Sequence, residues 1–122
     1  MYGVPADLPI QRFVGDALFQ ARIGIDGVHF AFGRAGVICV YGLWQLHDAS
    51  GTLIDQTQEH SERESYRLHV ILNADVTSCI VDPPRSFSLT FSTGHRLSIF
   101  DDTPQQYESC TIYFEGGPEV TI

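Results

Sequence analysis

The chain of 122 residues contains no lysine, and its seven basic residues are all arginines. The absence of lysine excludes Schiff-base chemistry on that side chain and a phosphate-binding loop of the kind that ends in lysine. The same absence excludes a polybasic stripe for nucleic acid or anionic lipid. Fifteen Asp and Glu residues give a formal net charge of −8. An acidic surface favours solubility and, for a macromolecular partner, a basic one.

Long apolar runs and cysteine pairs are missing as well. The longest apolar run, residues 37–46, is about half of what spans a bilayer, and the N-terminus lacks a basic start followed by an apolar stretch. Three widely spaced cysteines without a C-x-x-C pair are interpreted as reduced and mostly buried: Cys39, Cys79 and Cys110. We therefore expect one soluble, cytoplasmic domain over residues 1–122.

Alternating apolar residues predict strands at the start of the chain. Two strands over residues 18–32 are joined by Asp26-Gly27, a favoured hairpin turn, and Phe19, Ala21, Ile23 and Ile25 are expected to share one face. A third strand over residues 37–46 is apolar on both faces, so both faces must be covered.

The expected cover for one face of this third strand is a helix over residues 62–72. Ser61 and Glu64 have the spacing of a capping box, and Asn73 is a suitable left-handed residue for the end of the helix. The other candidate cover is a second copy of the chain, because an open apolar face promotes association. The sequence thus predicts a homodimer whose interface includes three residues of the third strand: Trp44, Val40 and Ile38.

Strand patterns return after the predicted helix, over residues 76–81, 87–91, 97–99, 110–114 and 120–122. The fold class that follows is mainly β: a single antiparallel domain, either a sandwich or a strongly curved sheet or partial barrel, with one helix at about 62–72.

No catalytic motif is present, neither a nucleophile elbow, a zinc-binding H-E-x-x-H, a dinucleotide-binding glycine pattern nor a phosphate loop. No two histidines have a spacing that brings two ligands together locally on a strand or helix. A metal site from distant residues, such as His29, His95 and an aspartate, stays an alternative, but we predict neither a metal nor a cofactor.

Glu108 is the strongest candidate for a functional side chain. Period-two counting places it on the same face as Cys110, Ile112 and Phe114, the face expected to be buried, where a carboxylate needs hydrogen-bond partners or has a raised pKa. Either the neighbouring turn satisfies this carboxylate, or Glu108 forms a ligand site together with Tyr107 and His95.

Three short segments of the chain form a recognisable set: "FVG" at residues 13–15, "SLTFSTGHRLSIFDD" at residues 88–102 and "YES" at residues 107–109. They resemble a family of small bacterial proteins catalogued only as a domain of unknown function. Tyr107 and Glu108 match the family's Tyr-Glu pair, whereas Cys110 stands near a position where tryptophan is more usual. The resemblance covers most of the chain and implies a shared fold unit without an established activity.

Two functions from different classes follow from these features. The first is a non-catalytic protein–protein interaction module, which either self-associates or binds a basic partner as immunity proteins bind basic toxins. The second is a small β-domain enzyme or small-ligand binder with an interior pocket near Glu108. The lack of catalytic motifs favours the first, with no nucleic acid and no membrane among its partners.

Overall fold

The computed structural model describes residues 3–58, 61, 63, 65–101 and 108–122. These residues form ten strands in two antiparallel sheets, which confirms the mainly β fold class. The strands are β1 (Leu18–Ile23), β2 (Val28–Phe32), β3 (Gly36–Val40), β4 (Trp44–His47), β5 (Leu53–Gln56), β6 (Val76–Asp82), β7 (Ser86–Phe91), β8 (Arg96–Phe100), β9 (Cys110–Phe114) and β10 (Glu119–Thr121).

Each sheet has five strands, and the inner faces of both contribute to one hydrophobic core. The first sheet has the order β1-β2-β3-β9-β10 and the second the order β5-β4-β8-β7-β6. In the first sheet Phe30 pairs with Ile38, and in the second Trp44 pairs with Ile99. The rings of Phe30 and Trp44 meet edge to face with centroids 6.3 Å apart, which joins the two inner faces.

The apolar segment over residues 37–46 is two strands, so the prediction of a single third strand is wrong. β3 ends at Val40 in the first sheet, and β4 begins at Trp44 in the second. Between them the N–H groups of Tyr41 and Gly42 both donate to the carbonyl oxygen of Ser109, at 2.9 Å each. Because the segment supplies the inner faces of two sheets in turn, most of its apolar residues are buried within one chain.

The predicted helix over residues 62–72 is also wrong. The segment contains a 3₁₀ turn at Leu68–Ile71, and no helix of seven or more residues occurs in the described chain. Asp55 Oδ2 accepts the N–H of Arg67, at 2.7 Å, just before the turn begins. The two buried residues of the turn, Leu68 and Ile71, are three positions apart, and a 3₁₀ turn places residues at this spacing on the same side. Glu64 of the predicted capping box lies outside the described residues, whereas Asn73 has the expected positive φ, of 63°.

The first hairpin turns one residue earlier than predicted. The N–H of Gly24 donates to the carbonyl of Gly27 at 2.9 Å, so Ile25 and Asp26 form the turn. A side chain at Gly27 would place its Cβ 2.3 Å from the carbonyl oxygen of Val40, so close backbone approach requires the glycine.

A bulge between Leu18 and Gln20 breaks the alternation of β1. Leu18 is buried, but Phe19 is 75% exposed and Ile25 is 79% exposed, so the four apolar residues do not share a covered face as expected. Elsewhere the alternation is as predicted, with Phe87, Leu89 and Phe91 buried along β7. No helix in the described part of the chain has the length and apolarity needed to cross a membrane.

Candidate functional site

The residues predicted to form a ligand site do not come together among the described residues. Glu108 is exposed, not buried as expected, and its Oε2 accepts the hydroxyl of Thr111 at 2.9 Å. His95 lies in the turn between β7 and β8 of the other sheet, with Nδ1 2.8 Å from the hydroxyl of Thr93. Tyr107 lies outside the described residues. Glu108 precedes β9, which begins at Cys110, so the period-two count that placed it on the inner face extends beyond the strand.

The residues predicted to contact a second copy lie in the core. Ile38 and Val40 are fully buried and Trp44 is 2% exposed. Their apolar character is explained by the two inner faces that they line, so it gives no reason to expect a partner at this place. The homodimer itself stays a prediction and needs a different surface.

Metal and thiol chemistry are not favoured by the arrangement. Within the described residues, no group of three or more His, Cys, Asp or Glu side chains is placed to hold a metal ion. The three cysteines are free and buried, as predicted. Burial raises the pKa of the Cys79 thiol to about 11, and burial is also the largest cause that raises the pKa of Cys39 and of Cys110. Neutral thiols are poor nucleophiles and poor ligands.

A buried ion pair joins Arg63, in the segment that follows β5, to Asp55 in β5. Nη1 of Arg63 lies 2.8 Å from Oδ1 of Asp55, and the two side chains are 4% and 6% exposed. Nη1 also donates to the carbonyl of Ser65 at 2.9 Å, and Nη2 donates to the carbonyl of Gln56. The guanidinium carbon lies 3.7 Å from the ring centroid of Tyr66. Three of the five guanidinium N–H donors are thus used within the protein, whereas the buried Nε has no partner among the described residues.

A cleft of about 260 Å³ lies beside this ion pair, between the β1–β2 turn and the segment that follows β5. Its walls include the side chains of Tyr41, Trp44 and Tyr66. Burial is the largest cause that raises the pKa of Tyr41 to about 12, so this phenol stays protonated at neutral pH. The cleft thus brings aromatic walls together, and Asp26 and Arg63 are also part of its lining.

The four outer edges of the two sheets differ in how they are covered. At β6 the carbonyl of Cys79 accepts Nε2 of Gln11 at 2.9 Å, and Val76 bonds to Gly15 and Asp16. At β5 the carbonyl of Gln56 is bonded to Arg63. β10 has only three residues, follows a proline and carries an exposed glutamate. Covered or short edges of this kind resist pairing with other chains.

β1 is the edge that stays open. Within the described residues, Leu18 at the start of β1 is the one residue of the strand with backbone bonds from outside the sheet: its N–H donates to the carbonyl of Ala74 at 3.1 Å, and its carbonyl accepts the N–H of Asn73 at 2.8 Å. No described segment other than β2 pairs with the residues from Gln20 to Ile23. Exposed apolar side chains cluster along the same strand and its turn, with Phe19 at 75%, Ile23 at 50% and Ile25 at 79%. We call residues 19–23 the open edge.

The chain matches no family model, no curated protein and no solved structure. The resemblance to small bacterial proteins of unknown function therefore stays a prediction. The open edge was not predicted from the sequence, because strand neighbours and edge positions are not encoded in local alternation. One available indication was the low charge of residues 17–25, with Arg22 as their single charged side chain.

Proposed function

We propose that the protein is a non-catalytic protein–protein interaction module that binds its partner by adding a strand to the open edge. The supporting observation is the contrast between three edges that are covered or short and one edge that is open and apolar. Strand addition uses backbone hydrogen bonds for affinity and exposed side chains for selectivity. We place this module in the cytoplasm, where free buried thiols stay reduced.

The open edge is suited to strand addition in its chemistry as well as its position. Natural proteins that avoid such pairing place lysine, proline or inward-pointing charge on exposed edges. Residues 19–23 contain no lysine and no proline, and their single charge is Arg22 on the exposed side. Phe19 and Ile23 supply apolar surface beside the free backbone groups.

The test compares the wild-type chain with variants that block the open edge. Ile23→Pro removes a backbone donor, and Phe19→Lys places a cation beside the edge. Ile80→Lys is the matched control, because Ile80 is also an exposed apolar residue, 60% exposed, but lies on β6 in the other sheet. Each chain is immobilised and exposed to a native extract, and amide hydrogen exchange is then measured on the wild-type complex.

We expect proteins retained by the wild type and by Ile80→Lys to be lost with both edge variants. We also expect partner binding to slow the exchange of the Ala21 and Ile23 amides. Equal retention by all four chains, or protection confined to other strands, would contradict the proposal.

A further inference from the structure

We propose that the strand added to the open edge is β1 of a second copy, paired antiparallel about a two-fold axis at Ala21. This inference rests on the proposed function and names its partner. It moves the expected homodimer interface from the buried residues Ile38, Val40 and Trp44 to an edge with which no described segment other than β2 pairs.

The hydrogen-bond pattern of the first hairpin decides which backbone groups are free. Bonded and non-bonded pairs alternate along an antiparallel ladder. Gly24 and Gly27 form a hydrogen-bonded pair at the end of the hairpin. Counting back in steps of two, the pair of Arg22 with His29 and the pair of Gln20 with Ala31 are also hydrogen-bonded. The N–H and C=O groups of Ala21 and Ile23 therefore point away from β2, toward the open edge.

Three symmetric registers have their axis within residues 21–23, where those free groups lie. An axis at Arg22 places the two arginines directly opposite each other, and like charges directly opposite are destabilising. An axis at Ile23 pairs Arg22 with Gly24 and runs into the turn at Ile25 and Asp26. An axis at Ala21 pairs Ala21 with Ala21, Gln20 with Arg22 and Phe19 with Ile23, which places no two charges opposite.

The ends of the open edge also favour the axis at Ala21. Leu18 is already bonded to Asn73 and Ala74, and the turn bonded through Gly24 follows Ile23. The stretch between these two ends is residues 19–23, with the bulge residue Phe19 at its start and Ala21 at its centre, and the axis at Ala21 is the symmetric register that places each of these residues opposite another of them.

The local charge favours a second copy over a basic partner. The acidic residues that give the chain its net charge of −8 are absent from residues 17–25, where Arg22 carries a positive charge. A basic strand would place its cations beside Arg22, whereas a second copy places Gln20 there. Five paired residues bury less than a standard interface of about 1,200–2,000 Å², so we expect a reversible dimer.

The first measurement is the mass of the purified chain by light scattering or sedimentation over a dilution series. We expect a doubling of mass at high concentration that reverses on dilution, and loss of the doubling in Ile23→Pro. The Ile80→Lys control should dimerise as the wild type does. A wild-type chain that stays at its single-chain mass at millimolar concentration would overturn the inference.

The second measurement tests the register by disulfide cross-linking. Residues directly opposite in a bonded pair have Cα atoms about 5.5 Å apart, within the range that a disulfide bridges. The native cysteines are buried and should not compete. We expect a cross-linked dimer from Ala21→Cys alone. The Gln20→Cys chain and the Arg22→Cys chain should each remain monomeric when oxidised separately, and they should form a cross-linked dimer when they are mixed.

The outcomes separate this inference from the proposed function. Cross-linking of Arg22→Cys alone would move the axis to Arg22 and overturn the register. In another outcome, the purified chain stays monomeric while a protein from the extract protects the Ala21 and Ile23 amides from exchange. In that case the inference that the partner is a second copy is wrong, and the proposed function as an interaction module is supported. If neither association is found, both proposals fail.

Discussion

β5 and β1 are both outer strands, one in each sheet, but their edges are treated in opposite ways. The C-terminal end of β5 is covered by the chain that follows it, through the ion pair of Arg63 with Asp55 and through the bond from Arg63 to the carbonyl of Gln56. As far as the described segments go, the edge of β1 is bonded from outside only at Leu18. A segment that follows in the chain covers part of β5 with a buried arginine, whereas no described segment does the same for residues 20–23 of β1.

The largest expected effect comes from breaking the closed edge. Asp55→Ala should lower the free energy of unfolding by about 3–5 kcal/mol, because it leaves the Arg63 guanidinium buried without its counter-ion. Urea unfolding measures the change. Glu119→Ala, at an exposed acidic residue of β10, is the control and should change little. The double variant Asp55→Ala with Arg63→Met should recover part of the loss, and a double variant no more stable than Asp55→Ala would contradict this explanation.

A pair of proline variants compares the two edges directly. Arg67→Pro removes the N–H that Asp55 accepts at 2.7 Å, and it should cost about 1.5–3 kcal/mol because the bond is to a buried carboxylate. Ile23→Pro removes an N–H that points to solvent in the monomer and should cost less. Thermal and urea unfolding of dilute samples measure both. Similar losses in the two variants would mean that the open edge is bonded within the monomer.

A smaller effect compares buried thiols of the two sheets. Burial raises the pKa of Cys79 on β6 from 9.0 to about 11. The folded chain therefore keeps this thiol neutral where the unfolded chain begins to ionise, so its stabilising contribution is complete below pH 9 and is lost as the pH rises toward 11. For Cys39 on β3 burial also raises the pKa, but a hydrogen bond from Tyr41 and the charge of Arg22 oppose the shift.

Unfolding free energies measured between pH 8 and pH 11 should therefore fall with pH in the wild type. Cys79→Ala should flatten this slope more than Cys39→Ala does. Equal slopes in both variants would indicate that the two thiols lose the same stability on ionisation.

Local patterns predicted strands well where the two sides of a strand meet different surroundings. Phe87, Leu89 and Phe91 alternate with polar residues and lie in the core as expected, and so do Cys110, Ile112 and Phe114. The patterns were misleading for residues 37–46, because a segment that passes from one sheet to the other has the same apolar sequence as one strand covered on both faces. The capping-box spacing favoured a helix, but the N–H of Arg67 donates to the carboxylate of Asp55 and not to a backbone carbonyl one helical turn earlier.

The candidate site depended more strongly on long-range structure. Glu108 was chosen by period-two counting from β9, but that count holds only inside the strand, which begins at Cys110. The open edge could not be found by counting, because a strand's position in its sheet is set by residues far away in the sequence. β3 separates β2 from β9 although more than sixty residues lie between β3 and β9.

By itself the sequence determined the class of fold, the state of the cysteines and the chemistry that is missing, because composition and alternation act over a few residues. The tertiary structure decided which strands are neighbours, which edges are covered and where Glu108, Arg63 and Ile23 are placed. Those features depend on hydrogen bonds between segments that are distant in the chain, and the free energy of such contacts is set by the packing of the whole domain.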